Sequence, residues 1–140
     1  MIILDTNVIS EFAKQSADRS ASLWLRRQKL DELCTCAPVV AELWFGGKLT
    51  ELRTGSRRYL ESFRQVVDRA LGGRVLPFDH TAAIICAEIR ASSIVAGRTR
   101  QPNDAMIAAI CLANGAMLAT RNVRDFEGLD LKLANPFEAA

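Results

Sequence analysis

Apolar and polar residues follow one another along this chain in blocks whose lengths distinguish short strands from helices. The first block, 1–4, is entirely apolar and stops at Asp5, which is the pattern of a buried strand. Further blocks of strand type lie at 33–37, 74–78, 116–120 and 129–133. Blocks of helix type lie at 8–14, 20–30, 39–45, 56–71, 82–96 and 105–113. This alternation predicts an α/β fold in which parallel strands are joined by helices that cover both faces of the sheet.

Several boundaries of these elements carry a more specific prediction. Thr6 or Asn7 is expected to cap the first helix by accepting hydrogen bonds from its free N–H groups. The pair Gly46-Gly47 is expected to end or bend the third helix. Pro77, which cannot donate a ladder hydrogen bond, predicts that its strand lies at a sheet edge. Asp79 follows that strand, and capping the next helix is its favoured interpretation over metal binding.

Length and composition narrow the class of protein. With 140 residues the chain is long enough to bury a real core, so residues 1–140 are expected to form a single domain. The apolar stretches fall well short of the roughly 20 residues that a membrane span needs, and no signal-like segment precedes the first strand. A cytoplasmic protein without membrane contact is therefore expected. The cysteines lie among apolar residues and are expected to be buried, reduced thiols rather than disulfides or zinc ligands; they are Cys34, Cys36, Cys86 and Cys111.

Three aspartates are predicted to meet at one edge of the sheet. Asp5 ends the first strand, Asp104 opens the last long helix, and Asp125 follows the strand 116–120 by a few residues. The carboxyl ends of parallel strands share one edge, so these side chains are expected to lie close together. Glu42 lies inside the third helix among apolar residues, where an unpaired carboxylate would be costly to bury. If that helix crosses the same edge, Glu42 points towards the three aspartates.

Clustered carboxylates repel one another and require positive charge. Mg²⁺ or Mn²⁺ would meet this need, because hard cations prefer oxygen ligands and magnesium leaves coordination positions open for phosphate oxygens. Zinc would require His or Cys ligands, and the one histidine, His80, lies at a predicted helix start, where a structural role is expected. With four acids assigned to a metal, 18 basic residues remain against 12 acidic ones, which favours a polyanionic substrate. The residues thus indicate metal-assisted phosphoryl chemistry.

Each acid also has a purely structural explanation. Asp5 could cap a helix, and Asp104 could complement a helix dipole. Asp125 could pair with Arg121 or Arg124, as charges near turns commonly do. Each explanation suffices for its own residue. Only the strand topology, which brings three acids to one edge, favours a shared site over three separate roles.

Four short motifs occur in a fixed order along the chain. They are Leu4-Asp5-Thr6-Asn7-Val8-Ile9-Ser10, Ala41-Glu42-Leu43, Asn103-Asp104-Ala105-Met106-Ile107-Ala108-Ala109 and Leu118-Ala119-Thr120-Arg121-Asn122-Val123-Arg124-Asp125-Phe126. Together, at these separations, they resemble the PIN-domain family, and more closely the VapC toxins of bacterial toxin–antitoxin pairs, in the FitB-like branch. The resemblance spans essentially the whole chain. It implies a five-stranded, mostly parallel sheet and a ribonuclease that depends on Mg²⁺ or Mn²⁺.

The resemblance also implies a role for individual residues. The acidic quartet of the family is matched by Asp5, Glu42, Asp104 and Asp125. The three aspartates would hold one or two metal ions, and Glu42 would bind metal or position the water that attacks phosphorus. The polar residues that would orient these ligands and waters are Thr6, Asn7, Thr120 and Asn122. The arginines that could contact RNA phosphates are Arg98, Arg100, Arg121 and Arg124, although each could equally be an ordinary solvated charge.

The partners implied by the resemblance are an RNA substrate, a second copy of the chain and a small antitoxin. The antitoxin would repress the shared operon through a DNA-binding part, so the complex could assemble on operator DNA. Its tail would occupy the acidic groove, where an arginine could replace the charge of the metal. Nothing in the sequence indicates which RNA is cut.

Three other functions remain open from the sequence. An aspartate-nucleophile phosphatase also places an aspartate after its first strand, but a second acid would be expected where Asn7 stands. A phospho-accepting receiver domain would need an adjacent acidic pair and a well-placed lysine, which are absent. A PIN-like binding subunit without activity is the third alternative. The sequence does not decide whether Asp79 or Glu88 assists at the site.

Overall fold

The computed structural model describes residues 1–138, so the last two residues of the predicted domain 1–140 lie outside the described part. The strands are β1 (Ile2–Leu4), β2 (Leu33–Cys36), β3 (Val75–Leu76), β4 (Met117–Ala119) and β5 (Leu133–Ala134). They form one sheet in the order β3-β2-β1-β4-β5, and every neighbouring pair is parallel. The predicted five-stranded sheet is confirmed, and β3 lies at its edge.

Helices connect the strands of this sheet. They are α1 (Thr6–Phe12), α2 (Arg19–Arg26), α3 (Ala37–Thr54), α4 (Arg58–Arg64), α5 (His80–Val95) and α6 (Pro102–Asn114). A π-helical segment, Gln65–Ala70, continues α4, and two 3₁₀ turns occur at Leu30–Glu32 and Val123–Phe126. No helix within residues 1–138 combines the length and the apolar character that a membrane span requires.

The hydrophobic core covers both faces of the sheet. All three residues of β1 are buried, and since successive strand residues point to opposite faces, neither face is left to solvent. Helix α6 is buried along the run 107–111, as its nearly continuous apolar sequence predicted. The four cysteines are free and buried, as expected.

The start of α1 differs from the prediction in a way that matters for the site. The helix begins directly after β1, and its N-cap is Asp5, whose Oδ1 accepts a hydrogen bond of 2.7 Å from the N–H of Thr6. The prediction that Thr6 or Asn7 would be the cap was wrong, because both residues already lie within the first turn. The carboxylate at the strand tip is therefore also the cap of the helix.

Helix α3 corrects a second prediction. It runs through Gly46-Gly47, where an end or a bend was expected, and stops only at Gly55, whose φ of +77° is left-handed. Gly47 faces α4, and a Cβ at this position would lie 2.7 Å from Cδ2 of Leu60. The glycine thus permits close helix packing instead of ending the helix.

The last strand is shorter and lies later than predicted. The alternating leucines of 129–133 suggested a strand, but only Leu133 and Ala134 form β5, with Leu133 in register with Leu118 of β4. The N–H of Leu131 donates to the carbonyl of Leu129, so this part of the chain turns before it joins the sheet. Helix α2 likewise ends at Arg26, earlier than the periodic pattern indicated.

Candidate active site

Asp5 lies at the tip of β1 and is only 6% exposed. Both oxygens of its carboxylate accept hydrogen bonds: Oδ1 from the N–H of Thr6, and Oδ2 from the hydroxyl of Thr120 at 2.7 Å. Burial raises the pKa of Asp5, while the hydrogen bonds from Thr120 and Thr6 lower it and the charges of Glu42 and Asp125 raise it further. The carboxylate is therefore held in one orientation in a place that disfavours its charge.

Thr120, which follows β4, joins the tips of two neighbouring strands. Its fully buried hydroxyl donates to Asp5 and accepts from the side-chain amide of Asn7 at 3.4 Å and from the N–H of Asn122 at 3.1 Å. The amide oxygen of Asn7 in turn accepts from the N–H of Arg121 at 3.0 Å. Thr120 thus binds Asp5 directly and Asn7 through Thr120, while Asn122 takes part through its backbone; that these residues orient metal ligands and waters stays a prediction.

Asp104 lies in the first turn of α6 and is half-buried. Within residues 1–138 its carboxylate accepts no hydrogen bond. Burial, followed by the charges of Asp125, Asp5 and Glu42, raises the pKa of Asp104 to about 6. The carboxylates from β1, α3, α6 and the turn after β4 are therefore close enough to act on one another electrostatically.

Glu42 lies on α3 and is exposed, so the burial cost considered for its carboxylate does not arise. Its Oε1 accepts a hydrogen bond of 2.8 Å from the side-chain amide of Asn103, the residue before Asp104. This contact ties α3 to the start of α6. The charge of Glu42 thus acts on Asp5 and Asp104, although its own side chain is exposed to solvent.

Asp125 lies in the 3₁₀ turn Val123–Phe126, and its side chain is exposed. The alternative that it pairs with Arg121 or Arg124 is not realised, because no ion pair of Asp125 occurs within residues 1–138. The turn is held through its backbone. We use the term arginine clasp for Arg98 and Arg100, which donate to carbonyls of this turn; the carbonyls belong to Arg124, Asp125 and Glu127.

Arg100 provides most of the arginine clasp. Its Nη1 donates to the carbonyl of Asp125 at 2.8 Å, its Nη2 to the carbonyl of Glu127, and its Nε to the hydroxyl of Ser93 at 2.9 Å. Arg98 donates to the carbonyl of Arg124 at 2.5 Å. Both arginines were predicted to contact RNA phosphates, and in the structure their guanidinium groups hold the turn that carries Asp125.

The other two arginines differ from each other. Arg121 pairs with the buried Glu11 at 3.5 Å and lies 3.8 Å above the ring of Phe137. The side chain of Arg124 has no hydrogen bond or ion pair within the described residues. Of the four arginines predicted to contact RNA, Arg124 is thus the least engaged, and contact with RNA stays a prediction for all four.

The donor set of the cluster fits a hydrated hard cation. Within residues 1–138, no three Asp, Glu, His or Cys side chains converge closely enough to bind one metal ion directly. Magnesium suits such a site, because it keeps several waters and usually takes only one or two carboxylates from the protein. The buried hydroxyl of Thr6 has no hydrogen-bond partner in the described part of the chain and could bind such a water. That Asp5, Asp104 and Asp125 hold the metal stays a prediction.

The sequence analysis did not single out two residues that contact predicted site residues. Asn103 belongs to one of the quoted motifs, yet its contact with Glu42 required knowledge of how α3 and α6 meet. Glu11, buried and paired with Lys14 at 3.0 Å and with Arg121, was also missed. Asp79 was interpreted correctly, since its Oδ1 accepts from the N–H of Ala82 at 3.0 Å and caps α5.

Comparison with known proteins supports these assignments of fold. A family model described as the PIN domain matches residues 2–131. The VapC ribonuclease Y4jK of Sinorhizobium fredii is 41% identical over 142 residues, with all of both chains covered. The toxin FitB of Neisseria gonorrhoeae is 34% identical, over 98% of this chain and 99% of its own. A solved structure of FitAB bound to an IR36 DNA fragment has a TM-score of 0.86 at 32% identity, covering 100% of this chain and 98% of that chain.

Proposed function

Because this chain belongs to the PIN-domain family, we propose that it is a metal-dependent endoribonuclease and the toxin of a toxin–antitoxin pair. The relatives support this assignment over the full length, since one is named a ribonuclease and the other a toxin. The proposal covers residues 1–140 as a single domain. Mg²⁺ or Mn²⁺, one or two ions per site, is the proposed cofactor.

The observation that carries the proposal is the electrostatic coupling of four carboxylates at the carboxyl edge of the sheet. The pKa of Asp104, raised to about 6, reflects both burial and the charges of Asp125, Asp5 and Glu42. Such an arrangement is unfavourable in the free protein and becomes favourable when positive charge is added. A divalent cation bound there would supply the charge that stabilises a phosphodiester during hydrolysis.

Each acid has a role that follows from its setting. Asp5 is fixed by two hydrogen bonds, so its position does not depend on the ligand. Asp104 and Asp125 would complete the cation site, directly or through waters. Glu42, exposed and oriented by Asn103, can accept the proton of the attacking water or position that water in line with the leaving oxygen.

Cleavage of RNA by the purified protein tests the proposal. We expect cleavage of single-stranded RNA in Mg²⁺ or Mn²⁺, no cleavage in EDTA, and loss of at least about 1000-fold in Asp5→Asn and Asp104→Asn, because each removes several kcal/mol of charge stabilisation. The matched control is Asp130→Asn, an exposed aspartate outside the cluster. Full activity in the first two variants would remove the proposed site.

The alternatives from phosphoryl transfer to Asp5 are disfavoured by residue 7. A second acid would be expected there, whereas Asn7 donates its side-chain amide to Thr120 and accepts from the N–H of Arg121. Absence of phosphorylation by a small phosphodonor is the expected result. The catalytically silent binding subunit differs only in activity, so the RNA cleavage assay decides between it and the nuclease.

The proposed partners are a small DNA-binding antitoxin and a second copy of this chain. A solved complex of FitAB on DNA supports assembly with operator DNA, since that chain matches this one over its whole length. The neighbouring reading frame is expected to encode such an antitoxin, and co-expression with it should inhibit RNA cleavage and give a complex that shifts operator DNA. Light scattering on the purified chain should give twice the monomer mass of 15.4 kDa.

A further inference from the structure

A groove leads away from the acidic cluster along helices α1, α3 and α4. It consists of two adjoining cavities of about 310 Å³ each that share Ser10, Tyr59 and Phe63 in their walls. The first cavity is also lined by Thr6 and Glu42, so the groove opens directly onto the candidate active site. We name it the Tyr59 groove.

The aromatic ring at the centre of the groove is fixed yet accessible. Tyr59 is 53% exposed, and its ring stacks on that of Phe63 with a centroid distance of 6.2 Å and an interplanar angle of 21°. Phe63 is buried in the core and also contacts the ring of Trp44. A supported aromatic ring with free surface is the kind of platform on which unpaired nucleobases stack.

The end of the groove far from the acids is basic. Lys14 and Arg58 line the second cavity. Arg58 forms no ion pair within residues 1–138, and Lys14 remains 61% exposed in its side chain although it pairs with Glu11. The side chains of Gln15 and Ser62 add hydrogen-bonding groups that could contact base edges. Acidic and basic ends therefore flank a central aromatic ring.

We propose that the Tyr59 groove binds the unpaired nucleotides that flank the scissile phosphate, with one base stacked on Tyr59 and neighbouring phosphates near Lys14 and Arg58. This inference rests on the proposed ribonuclease function, because it requires a phosphodiester at the acidic cluster. A partner peptide could also occupy an apolar groove. Continuity with the carboxylates, together with the cations at the far end, favours single-stranded RNA.

Two measurements on the full chain test the inference separately from the nuclease function. Binding of a labelled single-stranded RNA is measured in EDTA, and its cleavage is measured in Mn²⁺. Tyr59→Ala should weaken binding and raise KM about tenfold with little change in kcat, since stacking is lost and the chemistry is kept. Tyr59→Phe, which keeps the ring, should behave as wild type. Phe45→Ala, at an exposed aromatic residue outside the groove, is the matched control and should also be unchanged.

The cations and the RNA structure provide further tests. Arg58→Ala should weaken binding and reduce the slope of log Kd against log salt by about 0.7, the value for one phosphate contact with a single strand. The same sequence as a duplex should bind more weakly, because its bases are not free to stack. Melting temperatures within a few degrees of wild type would show that the variants are folded.

The outcomes separate the two hypotheses. If wild type cleaves RNA and Tyr59→Ala binds and cleaves as well as wild type, the groove inference fails while the nuclease remains. If wild type does not cleave RNA at all, the proposed function fails, and the inference fails with it because it requires a scissile phosphate at the acidic cluster. If Tyr59→Ala leaves RNA affinity unchanged but releases the inhibitory antitoxin, the groove binds protein and the inference is overturned.

Discussion

Asp5 and Asp125 lie at the ends of the neighbouring strands β1 and β4, and they are held in opposite ways. Asp5 is fixed through its side chain, since both of its carboxylate oxygens accept hydrogen bonds inside the protein. Asp125 is fixed through its backbone by the arginine clasp, and its carboxylate is exposed. The first acid is thus preoriented, whereas the second can rotate towards a ligand from a turn that stays in place.

This comparison suggests a division of tasks within one site. In the proposed site, the rigid, buried carboxylate would set the position of the cation, and the exposed carboxylate on a fixed turn would adapt to waters or phosphate oxygens. Preorganisation of the charged groups reduces the reorganisation needed during the reaction.

The largest effect is expected from removing the hydrogen bonds that fix Asp5. Thr120→Val deletes the donor to Oδ2 and leaves the carboxylate partly unsatisfied, together with the amide of Asn7. We expect the free energy of unfolding to fall by about 1–3 kcal/mol and activity by about 10–100-fold. Urea unfolding and cleavage rates measure the two effects. Thr120→Ser, which keeps the hydroxyl, should restore most of both, and unaltered activity in the valine variant would show that Asp5 needs no such support.

A smaller effect is expected at the arginine clasp. Arg100→Ala removes the contacts with the carbonyls of Asp125 and Glu127, so the turn Val123–Phe126 should exchange its amide hydrogens faster. Activity should fall about tenfold, in the range seen when groups behind a metal ligand are removed. Lysine donates from a single nitrogen and cannot reproduce the contacts of Nε, Nη1 and Nη2, so Arg100→Lys should restore activity only in part.

The control for the arginine clasp is Arg124→Ala, because the side chain of Arg124 forms no hydrogen bond or ion pair within residues 1–138. Arg124→Ala should leave the amide hydrogen exchange of the turn unchanged.

Measurements on Arg100→Ala also test the sequence prediction that Arg100 contacts RNA phosphates. If Arg100 contacts RNA, Arg100→Ala should raise KM and weaken the salt dependence of RNA binding, while the amide hydrogens of the turn exchange as in wild type.

The smallest effect is a change in the free energy of unfolding without metal, and it concerns Asp104, which has neither kind of support. Its pKa is raised to about 6 from an ordinary 3.8, so the folded protein binds a proton more tightly than the unfolded chain does between these values. The free energy of unfolding therefore decreases as the pH rises through this range. Above it, Asp104 is ionised and destabilises the folded state to the full extent. Without divalent cations, Asp104→Asn should be more stable than wild type by about 1 kcal/mol at pH 7.5, allowing for solvent screening of a half-buried group.

Urea unfolding in EDTA at two pH values measures this difference. The stabilisation by Asp104→Asn should shrink at pH 4.5, where wild type binds the proton. A difference that does not depend on pH would show that burial and the neighbouring carboxylates do not disfavour the charge of Asp104. Added Mn²⁺ should reverse the order, since it stabilises wild type by binding the native state.

The sheet, and the edge of it on which Asp5 and Asp104 lie, could be predicted from the sequence for a simple physical reason. Alternating strands and helices imply parallel strands, and parallel strands bring their carboxyl ends to one edge. The positions of Asp5 and Asp104 in the fold therefore follow from the order of strands and helices alone. Asp79 was interpreted correctly for a similar reason, because a helix cap is a local interaction.

The supports of the acids could not be predicted, because they depend on contacts between distant parts of the chain. The arginine clasp joins residue 100 to residues 125 and 127. Nothing in the local sequence distinguishes its arginines from arginines that are simply exposed to solvent. The exposure of Glu42 depends on how α3 is placed, and the glycine pair that suggested a helix end instead permits packing on Leu60. A period of 3.6 residues shows which side chains share a face, but not what that face meets.

Binding of Mn²⁺ to the free protein tests the central claim most directly, because it requires neither RNA nor turnover. Electron paramagnetic resonance should show saturable binding of one or two ions per chain in wild type and in Asp130→Asn. Asp5→Asn and Asp104→Asn should bind at least about tenfold more weakly, since each removes charge from the cluster. Equal Mn²⁺ affinity in all four proteins would contradict the claim that these carboxylates form a metal-dependent active site.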